Sequence, residues 1–119
     1  ILVVDDDPDI ITAVKAGFAD SGAHLETAGD GTSAVKLAES KQPDLVILDI
    51  MLPQKSGFLV LEQLRRNRSP GEKPHIIMIT GNQGKRHRQY AEALGVADYI
   101  SKPFAIERLV ESAEKLLSQ

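Results

Sequence analysis

Five short apolar runs, each followed by a segment with helical spacing, constrain the fold of this chain more than any other feature. The runs begin at Ile1, His24, Leu45, His75 and Ala97. Most are continuously apolar, as in strands buried on both faces of a sheet, whereas the second alternates weakly like an edge strand. Short connections between strands and helices favour parallel strands with right-handed crossovers. We therefore expect an α/β fold in which helices cover both faces of a five-stranded parallel sheet.

Capping residues and helix breakers set the expected helix boundaries. Asp7 with Pro8 suits the start of a helix, and a proline ends the helical region at the residue before it. The five helices are predicted to begin near Asp7–Pro8, Asp30–Thr32, Gly57, Lys85 and Phe104. The first four are predicted to end near Ser21–Gly22, Gln42, Arg66 and Leu94, with Gly95 as a left-handed cap.

Length and composition point to one domain over residues 1–119. The chain is 42% hydrophobic, which is enough for a core of its own. Its net charge of −3 indicates no direct nucleic-acid binding and no membrane contact. The absence of cysteine excludes disulfides and thiol chemistry. With no signal peptide or membrane-length apolar run, a cytoplasmic location is expected. Because the chain starts inside a strand without Met, we expect it to belong to a longer polypeptide.

Polar side chains stand where four of the predicted strands end. Asp5 and Asp6 follow the first strand, Asp49 ends the third, Thr80 the fourth, and Lys102 comes just after the fifth. The carboxyl ends of parallel strands share one edge of the sheet, so these groups should meet. Like charges 4 Å apart cost about 4 kcal/mol at an effective dielectric constant of ~20. A divalent cation would remove that cost, and an oxygen-rich site with open positions suits Mg²⁺.

These groups together describe phosphoryl-transfer chemistry. Asp49 would be a carboxylate nucleophile beside a metal ion. The Thr80 hydroxyl and the Lys102 ammonium would be partners for phosphoryl oxygens, because such transfer depends on positioning and charge neutralisation. The predicted product is an acyl phosphate on Asp49.

The whole chain resembles the receiver domain of two-component response regulators. The resemblance rests on residues 1–8, 44–53, 79–80 and 98–104, together with Gly57. Each piece is weak alone, but four in the right order at the right strand ends are specific. The resemblance implies a flavodoxin-like, doubly wound (βα)5 fold whose strand order is 2-1-3-4-5, an order that is inherited from the family.

The resemblance also implies a ligand set. Asp49 would be the phosphoacceptor, and Mg²⁺, or Mn²⁺ as a substitute, would be bound by Asp6, Asp49 and the backbone carbonyl of Met51. Asp5 would act on the ion through water. Lys102 would pair with the phosphoryl oxygens. The Lys102–Pro103 peptide bond is expected to be cis, which only an X–Pro bond adopts at low cost.

A conformational switch follows from the same likeness. Thr80 would move toward the phosphoryl group, and Tyr99 would swing between exposed and inward rotamers. The domain would be a regulatory phosphoacceptor, not an enzyme, that assists its own phosphorylation and dephosphorylation. Met51 and Asn82 flank the expected phosphate position, and Gly81 stands where the family usually has alanine. The resemblance implies that residues at such positions influence how long the acyl phosphate lasts.

Partners are implied as well. The phosphoryl donor would be a sensor histidine kinase or a histidine phosphotransfer protein. An output domain in the same full-length chain is expected, as is a homodimer through the fourth helix, fifth strand and fifth helix. The basic run Lys85–Arg88 is interpreted as a solvated helix face, with a partner-docking surface as the alternative.

Two other functions remain open from the sequence. A haloacid-dehalogenase-like phosphatase would use Asp5 as nucleophile with Asp7 beside it, but it would leave Asp49 without a role. A receiver-like module that is never phosphorylated would act through protein contacts alone.

Several residues have simpler structural interpretations. Asp7 and Asp9 suit a helix start better than a metal site. Tyr99 could be a core residue on a short strand as readily as a switch. Met51 and Met78 are interpreted as packing residues. Neither a phosphate-binding P-loop nor a calcium loop is satisfied by the sequence.

Overall fold

Alternating strands and helices form the fold that the sequence predicts. The computed structural model describes residues 1–52, 56–69, 71–81 and 85–118. The strands are β1 (Leu2–Val4), β2 (Glu26–Ala28), β3 (Leu45–Asp49), β4 (His75–Thr80) and β5 (Asp98–Ser101). The helices are α1 (Pro8–Gly17), α2 (Gly31–Lys41), α3 (Gly57–Arg65), α4 (Lys85–Ala93) and α5 (Ile106–Leu117). Pro53, Pro70 and residues 82–84 of the predicted loops lie outside the described residues.

All five strands are parallel, in the order β2-β1-β3-β4-β5. This confirms the predicted doubly wound α/β fold and its strand order. The central strand β3 is buried along its whole length. Its register pairs Asp49 with Ile79 of β4, and Leu48 with Val4 of β1. The ends of β1, β3 and β4 therefore lie side by side at one edge of the sheet.

Alternate strand residues build a core on each face of the sheet. Val46 and Leu48 face one cluster, which includes Ala34 of α2, Leu61 of α3 and Ala91 of α4. On the opposite face, residues such as Ile47 pack with Val14 of α1, with Phe18 just after that helix, and with Leu109 and Ala113 of α5. Because both faces of β3 are covered, its sequence is apolar without alternation.

Helix capping agrees with the sequence in most places. The side chains of Asp7 and Asp30 cap α1 and α2, accepting hydrogen bonds of 2.9 and 2.8 Å from backbone N–H groups. Gly95 follows α4 with φ of +91°, as a left-handed cap requires. These local signals were sufficient because each depends on one or two neighbouring residues.

One helix boundary differs from the prediction, and another is shifted by two residues. The first helix was expected to reach Ser21–Gly22 but ends at Gly17, because the chain turns there and the Ser21 hydroxyl donates to the Phe18 carbonyl at 2.7 Å. The last helix begins at Ile106 rather than near Phe104, and its N-cap Ala105 makes no side-chain hydrogen bond. The other ends agree within about two residues, the usual uncertainty of a helix or strand end.

Among the described helices, none has the length and apolar composition that a membrane crossing needs.

Asp98 ties β5 to α5. Its carboxylate accepts hydrogen bonds from both terminal nitrogens of Arg108, at 2.9 and 3.2 Å, and from the Ser112 hydroxyl at 2.6 Å. Burial favours the neutral carboxyl, but these bonds outweigh burial and hold the pKa of Asp98 below its usual value. The ionised form of Asp98 therefore stabilises the fold.

Asp98→Asn should lower the free energy of unfolding by about 1–2 kcal/mol at neutral pH, since the Arg108 side chain is half exposed. The pKa of Asp98 is depressed in the folded state. Its contribution is therefore present above the usual aspartate pKa and is lost as the pH falls through the lower folded value. Urea unfolding of both proteins at neutral pH and at about pH 3 checks this. A stability difference between the two proteins that stays constant with pH would contradict this role of Asp98. The control is Asp20→Asn, which changes an exposed aspartate.

Candidate functional site

Three carboxylates converge at the carboxyl edge of the sheet. Asp5 and Asp6 follow β1, Asp49 ends β3, and one oxygen from each lies within 4.8 Å of the others. Asp5 and Asp49 are only 1% and 3% exposed, whereas Asp6 is exposed at the rim. Within the described part of the chain, no other cluster of acidic or histidine side chains has this geometry. The shared strand edge thus brings these residues together as the sequence predicted.

Lys102 is the cation of this cluster. Its ammonium donates to an oxygen of Asp5 at 3.0 Å and to one of Asp49 at 3.3 Å. Burial disfavours the charged amine, but the hydrogen bond to Asp5 and the charges of both carboxylates raise the pKa of Lys102 above its usual value. The ammonium is therefore charged at neutral pH. The predicted cis peptide between Lys102 and Pro103 is present.

Asp49 is held in an unfavourable environment for a carboxylate. Burial, and after it the charge of Asp5, raise the pKa of Asp49, against opposition from the Met51 N–H and Lys102. One ammonium thus faces three acidic groups, and negative charge remains uncompensated. Oxygen donors carrying an excess of negative charge suit a hard divalent cation such as Mg²⁺.

Backbone groups orient the two buried carboxylates. The N–H of Asp7 donates to Asp5 at 2.9 Å, and the N–H of Met51 donates to Asp49 at 3.2 Å. The Met51 side chain is 65% exposed, so its interpretation as a packing residue was wrong. Met51 follows the end of β3, where its side chain has no core to enter. The same interpretation is confirmed for Met78, which is fully buried in β4.

Thr80 and Tyr99 lie on the strands beside this cluster. Thr80 ends β4, next to β3, and is fully buried. The backbone N–H of Lys102 donates to the Thr80 carbonyl at 2.7 Å, which fixes the start of the Lys102 segment against β4. Tyr99 is 8% exposed and belongs to the core that also holds Met78. In this structure Tyr99 is therefore inward, as a core residue would be, and its movement stays a prediction.

Gly57 lets the start of α3 approach the end of β3. Its N–H donates to the Ile50 carbonyl at 2.8 Å. A Cβ at this position would lie 2.2 Å from the Asp49 carbonyl oxygen and 2.6 Å from the Ile50 Cα. Both are backbone atoms that cannot move aside cheaply. This contact holds the first residue of α3 against the backbone of Asp49 and Ile50.

Gly57→Ala should therefore destabilise the protein by about 1–3 kcal/mol, as overpacking does, despite the better helix propensity of alanine. Thermal or urea unfolding measures the loss. The matched control is Gly29→Ala, because a Cβ there meets nothing within 4 Å. Equal stabilities for the two variants would show that the close approach carries no energetic weight.

One feature of the site escaped the sequence interpretation. Lys102 was assigned to phosphoryl oxygens only, yet here it bridges Asp5 and Asp49 directly. The signal that could have predicted this bridge is the count of charges at the strand ends, where three acidic groups meet one lysine.

Comparison with known proteins agrees with this geometry. The family profile described as the response regulator receiver domain matches residues 1–114. The probable transcriptional regulatory protein TcrX of Mycobacterium tuberculosis is 38% identical over 117 residues, which are 98% of this chain and 49% of that protein. The chain thus spans about half the length of the curated relatives it matches.

Solved structures give the same result. A CheY-like response regulator receiver domain protein from Methanospirillum hungatei superposes with a TM-score of 0.87 at 30% identity, covering 98% of this chain and 92% of that one. The BeF3-activated N-terminal receiver domain of RstA from Klebsiella pneumoniae also gives 0.87, at 27% identity over 99% of this chain and 97% of that one. This chain belongs to the response regulator receiver domains, the phosphoacceptor switches of two-component signalling.

Proposed function

We propose that Asp49 is the residue that accepts the phosphoryl group. A carboxylate oxygen of Asp49 attacks phosphorus, and the bond from phosphorus to the leaving group breaks. The products are an acyl phosphate and the donor's released group, which is a neutral imidazole when the donor is a phosphohistidine that is protonated at its other ring nitrogen. The observation that carries this proposal is the convergence of Asp5, Asp6 and Asp49, two of which contact Lys102.

The same cluster fits Mg²⁺, with Mn²⁺ as a substitute. We propose that Asp6, Asp49 and the Met51 backbone carbonyl bind the ion directly and that Asp5 acts through water. The ion would supply charge neutralisation for the incoming phosphoryl oxygens. The donor set supports this, since it is built from oxygen and lies at the rim of the sheet, where exposed Asp6 gives access.

Lys102 and Thr80 are proposed to assist the domain's own phosphorylation and dephosphorylation. Lys102 would exchange its contact with Asp49 for one with a phosphoryl oxygen, a short displacement from its present distance of 3.3 Å. Thr80 would donate its hydroxyl to another phosphoryl oxygen after shifting from the end of β4. Tyr99 would follow Thr80, and the two positions would form the switch.

The phosphatase alternative is less well supported by the geometry. It requires Asp5 as the nucleophile, although Asp49 is just as buried and also lies beside Lys102. It also places Asp7 in the site, whereas the Asp7 side chain caps α1. Asp49 would then be a buried carboxylate without a role.

We propose that residues 1–119 act as one receiver module in the cytoplasm, phosphorylated by a sensor histidine kinase or histidine phosphotransfer protein. An apolar groove lined by Ile10, Val14 and Phe104 also includes Lys102, which contacts Asp49, and this groove is the proposed seat of the donor. The relatives are about twice as long as their matched part, which supports coupling to an output domain. Pairing of two copies through α4, β5 and α5 is proposed as the assembled form.

Beryllofluoride binding tests the proposed function. Beryllofluoride, which mimics a phosphoryl group on a carboxylate, should bind only when Mg²⁺ is present. Backbone amide NMR should then report shifts at Met51, Thr80 and Lys102, which surround Asp49. The phosphatase alternative predicts steady turnover of a small phosphate ester instead. The absence of any Mg²⁺-dependent beryllofluoride binding would favour a module that acts only through protein contacts.

A further inference from the structure

The guanidinium of Arg88 covers the ring of Tyr99. The central carbon of the guanidinium lies 5.7 Å from the ring centroid, a distance at which a cation is attracted to the face of an aromatic ring. Nε of Arg88 donates to the Glu92 carboxylate at 2.9 Å, one helical turn further along α4. Arg88 is mostly exposed, whereas Tyr99 is buried. The basic run was interpreted as solvated, but one of its members contacts the core.

This contact stands out because α4 is otherwise lightly anchored. Among the described side chains of α4, only Ala91 is buried. Towards α3, Phe58 packs against Tyr90 with ring centroids 5.1 Å apart, and the Tyr90 hydroxyl donates to Glu62. Arg88 adds a link in the other direction, from α4 to β5. It therefore connects this lightly buried helix to the strand that carries Tyr99.

Tyr99 and Thr80 point to the same face of the sheet. Met78 lies opposite Tyr99 in the register of β4 and β5, and both belong to the same core cluster. Thr80 is two residues after Met78, and alternate residues of a strand share a face. A displacement of Thr80 towards Asp49 would leave space on this face, which an inward Tyr99 can fill. Inward Tyr99 and a phosphorylated Asp49 should therefore favour each other.

We propose that Arg88 holds Tyr99 inward before phosphorylation and thereby favours the activated conformation. The inference rests on the proposed role of Asp49. A ligand binds with an apparent affinity that scales with the fraction of molecules already in the binding-competent conformation. An exposed cation–π contact changes such a population by about two- to fivefold. Arg88 thus sets the fraction of molecules with Tyr99 inward, and through it how readily the domain adopts the activated conformation.

Arg88→Ala should weaken beryllofluoride binding in the presence of Mg²⁺ by about two- to fivefold. It should also increase the solvent exposure of the Tyr99 ring, measured without any phosphoryl analogue by NMR of ¹³C-labelled tyrosine. The chain has two tyrosines, and Tyr90→Phe assigns the signals. The control is Arg86→Ala, which removes the same charge from an exposed position of the same helix.

The outcomes separate this inference from the proposed function. If the wild-type protein does not bind beryllofluoride, the proposed function fails, and the regulatory role fails with it. The exposure of the Tyr99 ring still decides whether Arg88 holds it inward. If the wild type binds and Arg88→Ala matches Arg86→Ala in both measurements, the inference is overturned.

In a Tyr99→Leu background the effect of Arg88→Ala on beryllofluoride binding should disappear. If Arg88→Ala still weakens binding in the Tyr99→Leu background, the effect comes from the charge of Arg88 and not from its contact with the Tyr99 ring. That result also overturns the inference.

Discussion

Asp49→Asn is expected to abolish phosphorylation of this chain by acetyl phosphate or phosphoramidate in the presence of Mg²⁺. Asparagine has nearly the same shape, but its amide oxygen is a poor nucleophile and carries no charge for a metal ion. The loss should exceed about 10³-fold, because the amide that replaces the carboxylate of Asp49 cannot form an acyl phosphate. Intact-protein mass spectrometry after a timed reaction measures the phosphorylated fraction.

The loss of phosphorylation should not come from unfolding, because Asp49→Asn is expected to fold as stably as the wild type. Asp49 is buried beside Asp5, and burial together with that charge raises the pKa of Asp49. Removing its negative charge should leave the metal-free protein at least as stable as the wild type, with an equal or higher melting temperature. The control is Asp44→Asn, an exposed aspartate before β3, which should be phosphorylated normally. Unchanged labelling of Asp49→Asn would contradict the assignment.

Removing the metal ion should have an effect of similar size. Excess EDTA is expected to stop phosphorylation by small phosphodonors, because three carboxylates that one ammonium only partly neutralises would repel the incoming phosphoryl oxygens. Asp6→Asn, which deletes the exposed carboxylate of the cluster, should weaken Mg²⁺ binding by at least about tenfold. The Mg²⁺ concentration that gives half-maximal labelling should rise to match.

Asp9→Asn is the matched control for that variant. Asp9 is also exposed and acidic, but it lies in the first turn of α1. Its loss should change neither Mg²⁺ binding nor labelling. If both variants weaken Mg²⁺ binding equally, the effect comes from the general negative potential of this edge and not from ligation by Asp6.

The sequence predicts the sheet and the acidic edge because each depends on local pattern. Continuous apolar runs mark buried strands, and the residue that ends such a run lies at a sheet edge whatever the rest of the chain does. Asp49 and Asp6 could therefore be placed together before any contact was known. The strand order was inherited from the resemblance, since hydrophobic pattern alone does not fix the order of parallel strands.

Contacts between distant side chains could not be predicted in the same way. The cation–π contact of Arg88 with Tyr99 joins residues on different elements. It depends on the rotation of α4 about its axis, and a helix with little apolar surface gives no clear signal for that rotation. The bond from Asp98 to Arg108 likewise depends on how α5 lies against β5. Composition shows only that such charges are present.

The acidic edge illustrates why function and stability oppose each other here. Asp5 and Asp49 are buried close together, an arrangement that costs free energy until a cation occupies the site. Lys102 offsets part of this cost in the unphosphorylated protein. The same charges that destabilise the metal-free fold are those that a phosphoryl transfer reaction needs.

Locating the phosphoryl group itself is the most direct test of this account. The protein is treated with acetyl phosphate and Mg²⁺, reduced with borohydride so that an aspartyl phosphate becomes homoserine, then digested and sequenced by mass spectrometry. Homoserine is expected at position 49 and at no other aspartate. Homoserine at position 5 or 6, or a stable phosphate on Thr80, would contradict it.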